Sequence, residues 1–157
     1  AFGAPGRPPP GMRRLTRVTP SRLDHAALCR LIASPKHGAM ASFIGTVRAV
    51  HAGRHVRSVS YDCFVPLAEK ELARIAARAE KRWPVRVAAA HRTGRLKVGE
   101  ASVAIAVGSA HRAEAYAACR FVIEEIKLRL PVWKKERYTT GEGRWLAGCA
   151  LRGHGRR

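Results

Sequence analysis

The sequence predicts a single α+β domain, and three observations support this class. The chain has 157 residues, which suits one domain of ordinary size. Helical and strand-like periodicities follow one another irregularly instead of in strict strand–helix alternation. The sequence shows neither a repeat nor the glycine spacing GxGxxG of nucleotide-binding folds. We therefore expect one domain over residues 12–151, between a disordered Gly- and Pro-rich leader at 1–11 and a basic tail at 152–157.

The amino-terminal part predicts a helix followed by two strands. The segment SRLDHAALCRLIA has helical periodicity with Ser21 as the N-cap, and Pro35 and Gly38 end it. Residues 39–47, AMASFIGTV, alternate as a strand does, and so do residues 56–65. Between them, residues 49–55 are polar, basic and glycine-containing, which predicts a mobile loop.

A second helix and further strands follow. Pro66 suits the first turn of a helix that ends before Pro84, and its apolar face has helical spacing. The residues of that face are Ala68, Leu72, Ile75 and Ala79. The string VRVAAAH predicts a short strand, HRTGRLKVGE a turn and hairpin, and ASVAIAVGS a buried strand.

A long third helix and a carboxyl-terminal hairpin complete the domain. The helix is predicted over about 113–130, with Ser109 as its cap, and Pro131 stops it. Its predicted apolar stripe consists of Tyr116, Cys119, Ile123, Ile126 and Leu130. The string VWKKERYTTGEGRWL predicts a hairpin that turns at residues 140–143.

The cysteines and the hydropathy indicate a cytoplasmic protein. Cys29, Cys63, Cys119 and Cys149 lie far apart without a CxxC spacing, so we expect buried free thiols and no metal site. No apolar run approaches the roughly 18 residues of a membrane span.

The net charge is +19, from 30 Lys and Arg against 11 Asp and Glu. Such a charge predicts anionic partners, which include phosphorylated small molecules, acidic proteins and nucleic acids. A basic nucleic-acid-binding module is therefore the alternative function. Aromatic residues make up only 6% of the chain and no base-stacking motif occurs, so we do not expect nucleic acid as a partner.

Several cations stand beside glycines or at helix ends. His111 and Arg112 begin the third helix, where positive charge opposes the helix dipole unless a bound anion compensates it. This favours a phosphate site over a merely exposed pair. Arg48 at a strand end, Lys127 in a last helical turn and the Lys134-Lys135-Glu136 run have ordinary solvated roles as alternatives. Near Pro131 and Trp133, a partly desolvated lysine can instead exchange protons.

Six strings in a fixed order resemble the large, catalytic subunit of molybdopterin synthase, the MoaE family. They span about residues 38–147 and read FIGTVR, RWP, HRTGRLKVGE, VGSAHRAEAY, IKLRLPVWKKE and GEGRWL. The resemblance implies an α/β hammerhead fold with an antiparallel sheet and no metal or redox cofactor. It also implies transfer of two sulfurs to cyclic pyranopterin monophosphate from the thiocarboxylated end of a small ubiquitin-like carrier subunit, within a heterotetramer built on a homodimer of this chain.

The resemblance also assigns roles to nine residues. Lys127 and Lys134 correspond to the catalytic lysines, which also contact substrate. The other substrate-binding positions are Thr46, Val47, Arg48, His111, Arg112, Lys135 and Glu136. His111 and Lys127 are 16 positions apart on one predicted helix, or roughly 24 Å at 1.5 Å per residue. We therefore hypothesise that each active site takes these two residues from different chains of the dimer.

Overall fold

The computed structural model describes residues 15–141 and 143–146. The elements in these residues are β1 (Thr16–Thr19), α1 (His25–Ile32), β2 (Ala39–Thr46), β3 (Val50–His51), β4 (Arg54–Asp62), α2 (Val65–Arg82), β5 (Val85–Arg92), β6 (Gly94–Lys97), β7 (Ala101–Ser109), α3 (Arg112–Arg129), β8 (Trp133–Tyr138) and β9 (Arg144–Leu146). The predicted leader and basic tail lie outside the described residues, as does Cys149.

A four-stranded sheet in the order β1-β5-β7-β2 carries helices on both faces. Its strands are antiparallel neighbours except for β1, which runs parallel to β5. Residues of β5 and β7 alternate between the faces: Val87, Ile105 and Val107 pack against α2 and α3, whereas Ala88 and Ala106 pack against α1. The small alanine side chains let α1 lie close to the sheet.

A second sheet has the order β3-β4-β8-β9, and β6 also pairs with β4. It has its own small core of Val47, Val56, Val59 and Leu96. The antiparallel β8–β9 pair is the predicted carboxyl-terminal hairpin. The two sheets and three helices confirm the α+β class, and the spans of α2, β2 and β7 confirm their predictions. No helix in the described part of the chain is long and apolar enough to cross a membrane.

The prediction of a mobile loop at residues 49–55 is wrong. Val50 and His51 pair with Arg54 and His55 in a tight hairpin. Ala52 and Gly53 form its turn with φ values of 48° and 74°. Positive φ at both central residues is the geometry of a type I′ turn, whose twist matches paired strands. A two-residue strand is too short for alternation to show in the sequence.

Both predicted helix caps are also wrong, because another residue lies at each helix start. Asp24, not Ser21, caps α1, and its Oδ1 accepts a hydrogen bond from the Ala27 amide at 2.9 Å. His111 occupies the N-cap position of α3. The buried Ser109 hydroxyl instead donates to the Pro84 carbonyl at 3.2 Å. The start of α3 therefore has no side-chain cap.

The predicted apolar stripe of α3 is shifted at its beginning. Tyr116 is 69% exposed, whereas Ala115, Ala118 and Val122 are buried with Cys119 and Ile126. Small residues at the start of the stripe allow α3 to approach the sheet closely.

Candidate active site

A cleft lies where the carboxyl-terminal end of α3 meets the ends of β2 and β7 and one face of β4 and β8. Its two adjoining parts have volumes of about 110 and 140 Å³. One water molecule needs about 10–15 Å³ on this measure, so the cleft admits a larger molecule. The residues that line both parts are Tyr61, Ser102, Val103, Lys127 and Lys134.

Two lysines from distant parts of the sequence reach this cleft. Lys127 is exposed in the last turn of α3, where its charge is favourable to the helix dipole. Lys134 is the second residue of β8 and lies opposite Tyr61 on β4. Residues opposite each other in antiparallel strands project to the same face, so Tyr61 and Lys134 line one wall. Two cations in one recess favour an anionic ligand.

The apolar side of the cleft differs from its prediction. The sequence predicts that Pro131 and Trp133 lie beside a partly desolvated lysine. The lining consists instead of Ile123, Ile126, Leu130 and Val132. Trp133 lies opposite Asp62 in the strand register and is 42% exposed. Strand alternation sends Trp133 and Lys134 to opposite faces, which the sequence pattern alone did not reveal.

The end of β2 forms the other side of the cleft. Gly45, Thr46, Val47 and Arg48 all line its second part. A Cβ atom at Gly45 would lie 2.7 Å from Val103 Cγ1, so a larger residue there would force Val103 or the backbone to move. The register shift between Gly45 and Thr46 marks an irregularity in the ladder. This geometry brings the exposed Arg48 to the same cleft as the two lysines.

Glu136 is a buried carboxylate at the back of the cleft, with only 4% of the residue exposed. Its Oε2 accepts hydrogen bonds from His51 Nδ1 and from the Tyr138 hydroxyl, both at 2.8 Å. Its Oε1 lies 3.5 Å from Lys134 Nζ. Burial raises the pKa of Glu136, but the two hydrogen bonds and the Lys134 charge outweigh it and leave the pKa below its ordinary value. Glu136 is therefore a carboxylate in the cleft.

His91, at the end of β5, is a second buried polar residue of the cleft. Burial lowers the pKa of His91 to about 4. The hydrogen bond to the Arg92 carbonyl raises this pKa, whereas the nearby Lys127 charge lowers it further. Nδ1 donates that bond at 3.0 Å, so the neutral ring has its acceptor nitrogen at Nε2. Tyr61 packs edge-on against the ring, with centroids 5.4 Å apart. His91 thus adds no positive charge beside the lysines at neutral pH.

Three of the predicted site residues do not line this cleft. His111 and Arg112 are exposed at the opposite end of α3, which is one continuous helix from Arg112 to Arg129. Lys135 lies between Lys134 and Glu136 on β8 and projects to the other face, where its Nζ lies 5.4 Å from the Trp145 ring centroid. Six predicted residues are brought together: Thr46, Val47, Arg48, Lys127, Lys134 and Glu136.

Four further residues of the cleft and its contacts were not predicted: His51, Tyr61, His91 and Tyr138. His51 lies in the segment predicted as a mobile loop, and His91 ends the string VRVAAAH, which is predicted as a short strand. One signal was available for His91. It follows an apolar run near the end of β5, where a polar side chain can lie beside a cleft at the end of the sheet.

A model of the MoaE protein family matches residues 18–129, well over half of the chain. The chain belongs to the MoaE protein family. The matched range includes Lys127 and ends before Lys134. The matched range covers α1 to α3 with the strands between them, whereas the placement of Lys134 rests on the geometry of β8.

Similar proteins agree with membership in the MoaE family. The molybdopterin synthase catalytic subunit of Arabidopsis thaliana is 45% identical over 122 residues, which are 77% of this chain and 62% of that protein. This chain thus spans less than two thirds of that relative's length. The crystal structure of molybdopterin synthase from Staphylococcus aureus has a TM-score of 0.82 at 31% identity, covering 86% of this chain and 98% of that one.

A more distant structure shares the MoaE fold. It is a protein–protein complex of subunits 1 and 2 of molybdopterin-converting factor from Helicobacter pylori. Its matching chain has a TM-score of 0.67 at 20% identity, with 90% of this chain and 94% of that chain covered. At this identity the likeness shows the fold alone.

Proposed function

We propose that this MoaE-family chain is the catalytic subunit of a molybdopterin synthase. The observation that carries the proposal is the convergence of Lys127 from α3 and Lys134 from β8 on one cleft. The Arabidopsis and Staphylococcus relatives bear the name of this enzyme. The expected substrate, cyclic pyranopterin monophosphate, is a phosphorylated pterin, and the cations of the cleft suit its anionic group.

The proposed reaction replaces two oxygen substituents of the pterin precursor with sulfur. Two thiocarboxylated carriers each supply one sulfur, and water cleaves the acyl–sulfur bond of each carrier and leaves a carboxylate. Opening the cyclic phosphate and expelling oxygen both build negative charge, which fixed lysine and arginine side chains stabilise. Lys127, Lys134 and Arg48 are the groups of the cleft that can do so. A lysine in its neutral form can also accept and return a proton as each sulfur enters. The reaction proposed here uses no metal or redox cofactor.

The proposed partner is a small ubiquitin-like carrier. In the Helicobacter structure, subunits 1 and 2 of molybdopterin-converting factor form a protein–protein complex. A carrier whose carboxyl-terminal glycine bears the sulfur needs an open channel to the lysines. The cleft has an apolar side of Ile123, Ile126, Leu130 and Val132, which suits a tail without charged side chains.

Two chains are proposed to complete each active site. Arg112 and Lys127 are at opposite ends of the same helix, about 22 Å apart along its axis. One pterin does not span that distance, so the His111-Arg112 pair would serve the cleft of a partner chain in a homodimer. Mixing a Lys127→Ala chain with a His111→Ala chain tests this. Heterodimers should regain activity, and no gain over either homodimer would contradict a shared site.

Reconstitution tests the proposed function itself. The purified chain is mixed with a thiocarboxylated carrier and cyclic pyranopterin monophosphate, and molybdopterin is measured. We expect product only when all three components are present. Absence of product with the wild-type chain would overturn the proposal. Nucleic acid binding that persists at about 0.2 M salt would favour the alternative of a nucleic-acid-binding module.

A further inference from the structure

The carboxylate of Glu136, on β8, joins that strand to β3 of the second sheet. His51 on β3 lies 85 positions away in the sequence, and its Nδ1–H donates to Oε2. Tyr138 on β8 donates its hydroxyl proton to the same oxygen. Both donors therefore hold one carboxylate oxygen, and the other oxygen faces Lys134 Nζ at 3.5 Å. His51 and Tyr138 therefore fix the orientation of the Glu136 carboxylate, and neither of them is a lysine of the cleft.

Lys134 and Glu136 share a face of β8, because side chains alternate along a strand. The Lys134 side chain is 39% exposed, and an exposed lysine side chain without a fixed partner samples many rotamers. A buried anion at a fixed place restricts them. Lys135, on the other face, has no such restraint from Glu136 and stacks on Trp145. Glu136 and its hydrogen-bond donors thus restrain Lys134 but not the adjacent Lys135.

Tyr138 is itself held in place. The Arg54 guanidinium lies 3.6 Å from the centroid of the Tyr138 ring, and Arg54 also donates to the Thr140 carbonyl at 3.2 Å. The β3–β4 turn sets the positions of His51 and Arg54, which flank it. The β3–β4 hairpin therefore supports Glu136 directly through His51 and indirectly through Arg54, which holds Tyr138.

We propose that His51 and Tyr138 are positioning residues, which act through Glu136 to hold the Lys134 ammonium at the cleft. This rests on the proposed function for its catalytic consequence. Neither residue needs to touch the pterin. Removing either donor leaves a buried carboxylate with an unmet hydrogen bond, which then reorients or takes up a proton. In both cases Lys134 loses its fixed anionic partner.

Matched variants test the positioning role by kinetics. His51→Ala removes the donor, whereas His51→Asn keeps an N–H at the place of Nδ1. We expect His51→Ala and Tyr138→Phe each to lower kcat on the order of tenfold with KM nearly unchanged, since misplacing a catalytic group by 1 Å costs up to about a hundredfold. His51→Asn should retain most of kcat. Adding His51→Ala to Glu136→Gln should cause little further loss, because both act through one carboxylate.

A measurement without turnover separates this inference from the proposed function. The Glu136 carboxyl carbon is followed by NMR through a pH titration in each folded variant. The midpoint should rise in His51→Ala and Tyr138→Phe and stay near the wild-type value in His51→Asn. Unchanged midpoints, or a multiplicative loss of kcat in the His51→Ala/Glu136→Gln double variant, would overturn the positioning role. A wild-type chain that makes no molybdopterin overturns the proposed function instead, while shifted midpoints still support the network.

Discussion

Gly108 should tolerate no side chain, because the ring of His37 occupies the space beside it. Gly108 lies on β7 between Met40 of β2 and Arg86 of β5. A Cβ atom there would overlap His37 Nδ1 and lie 2.9 Å from Cε1. The ring cannot easily retreat, since its Nδ1 hydrogen-bonds to the Ile32 carbonyl at 2.9 Å. Gly108→Ala therefore forces either a backbone shift or the loss of that bond.

The expected destabilisation follows from these two contacts. A backbone shift forced by overpacking costs about 1–3 kcal/mol, and loss of the hydrogen bond in its place costs about 0.5–1.5 kcal/mol. We predict that Gly108→Ala lowers the free energy of unfolding by about 1–3 kcal/mol. Urea denaturation at pH 7, monitored by tryptophan fluorescence, measures it.

A double-mutant cycle identifies the cause. His37→Ala alone should cost about 1 kcal/mol through the lost hydrogen bond. In the Gly108→Ala/His37→Ala double variant the ring is gone, so the alanine at position 108 should add little further cost. Additive losses in the double variant, or an unchanged midpoint in Gly108→Ala, would refute the steric reasoning.

Two other predictions concern the cleft. Lys127→Ala and Lys134→Ala should each lower kcat by a factor on the order of 100 or more. The kcat of Lys135→Ala, on the other face of β8, should stay within about threefold of wild type. Equal losses for Lys134→Ala and Lys135→Ala would contradict the placement of β8. The His91 pKa of about 4 lies below its ordinary value of 6.5, so the unfolded chain binds a proton that the folded chain does not. Stability should therefore fall by about 2 kcal/mol from pH 7 to pH 5 on account of His91, and His91→Gln should lose this part of the slope in urea denaturation.

The sequence was sufficient where periodicity and packing agree. The buried residues Ala68, Leu72, Ile75 and Ala79 on α2 follow from helical spacing, because that helix has one apolar face against the sheet. The central strand β7 follows from its apolar run. These elements owe their structure to local pattern and burial together.

Elsewhere, tertiary contacts decided the outcome. The parallel pairing of β1 with β5 joins segments more than 70 residues apart, and four residues are too few to show a pattern. His51 lies in a hairpin and hydrogen-bonds to Glu136, 85 positions away, a contact that no local pattern records. Similarly, the spacing of Lys134, Lys135 and Glu136 does not say which face of β8 meets the cleft.

Lysine footprinting tests directly whether the two-lysine cleft receives the substrate. Lys127, Lys134 and Lys135 all have solvent-accessible side chains, so a small acylating reagent can reach each of them. Acylation rates are measured by mass spectrometry with and without cyclic pyranopterin monophosphate. We predict that the substrate slows acylation of Lys127 and Lys134 and leaves Lys135 unchanged. Two results would contradict the assignment of this cleft. One is protection of Lys135 alone, and the other is that saturating substrate leaves the acylation rates of Lys127 and Lys134 unchanged.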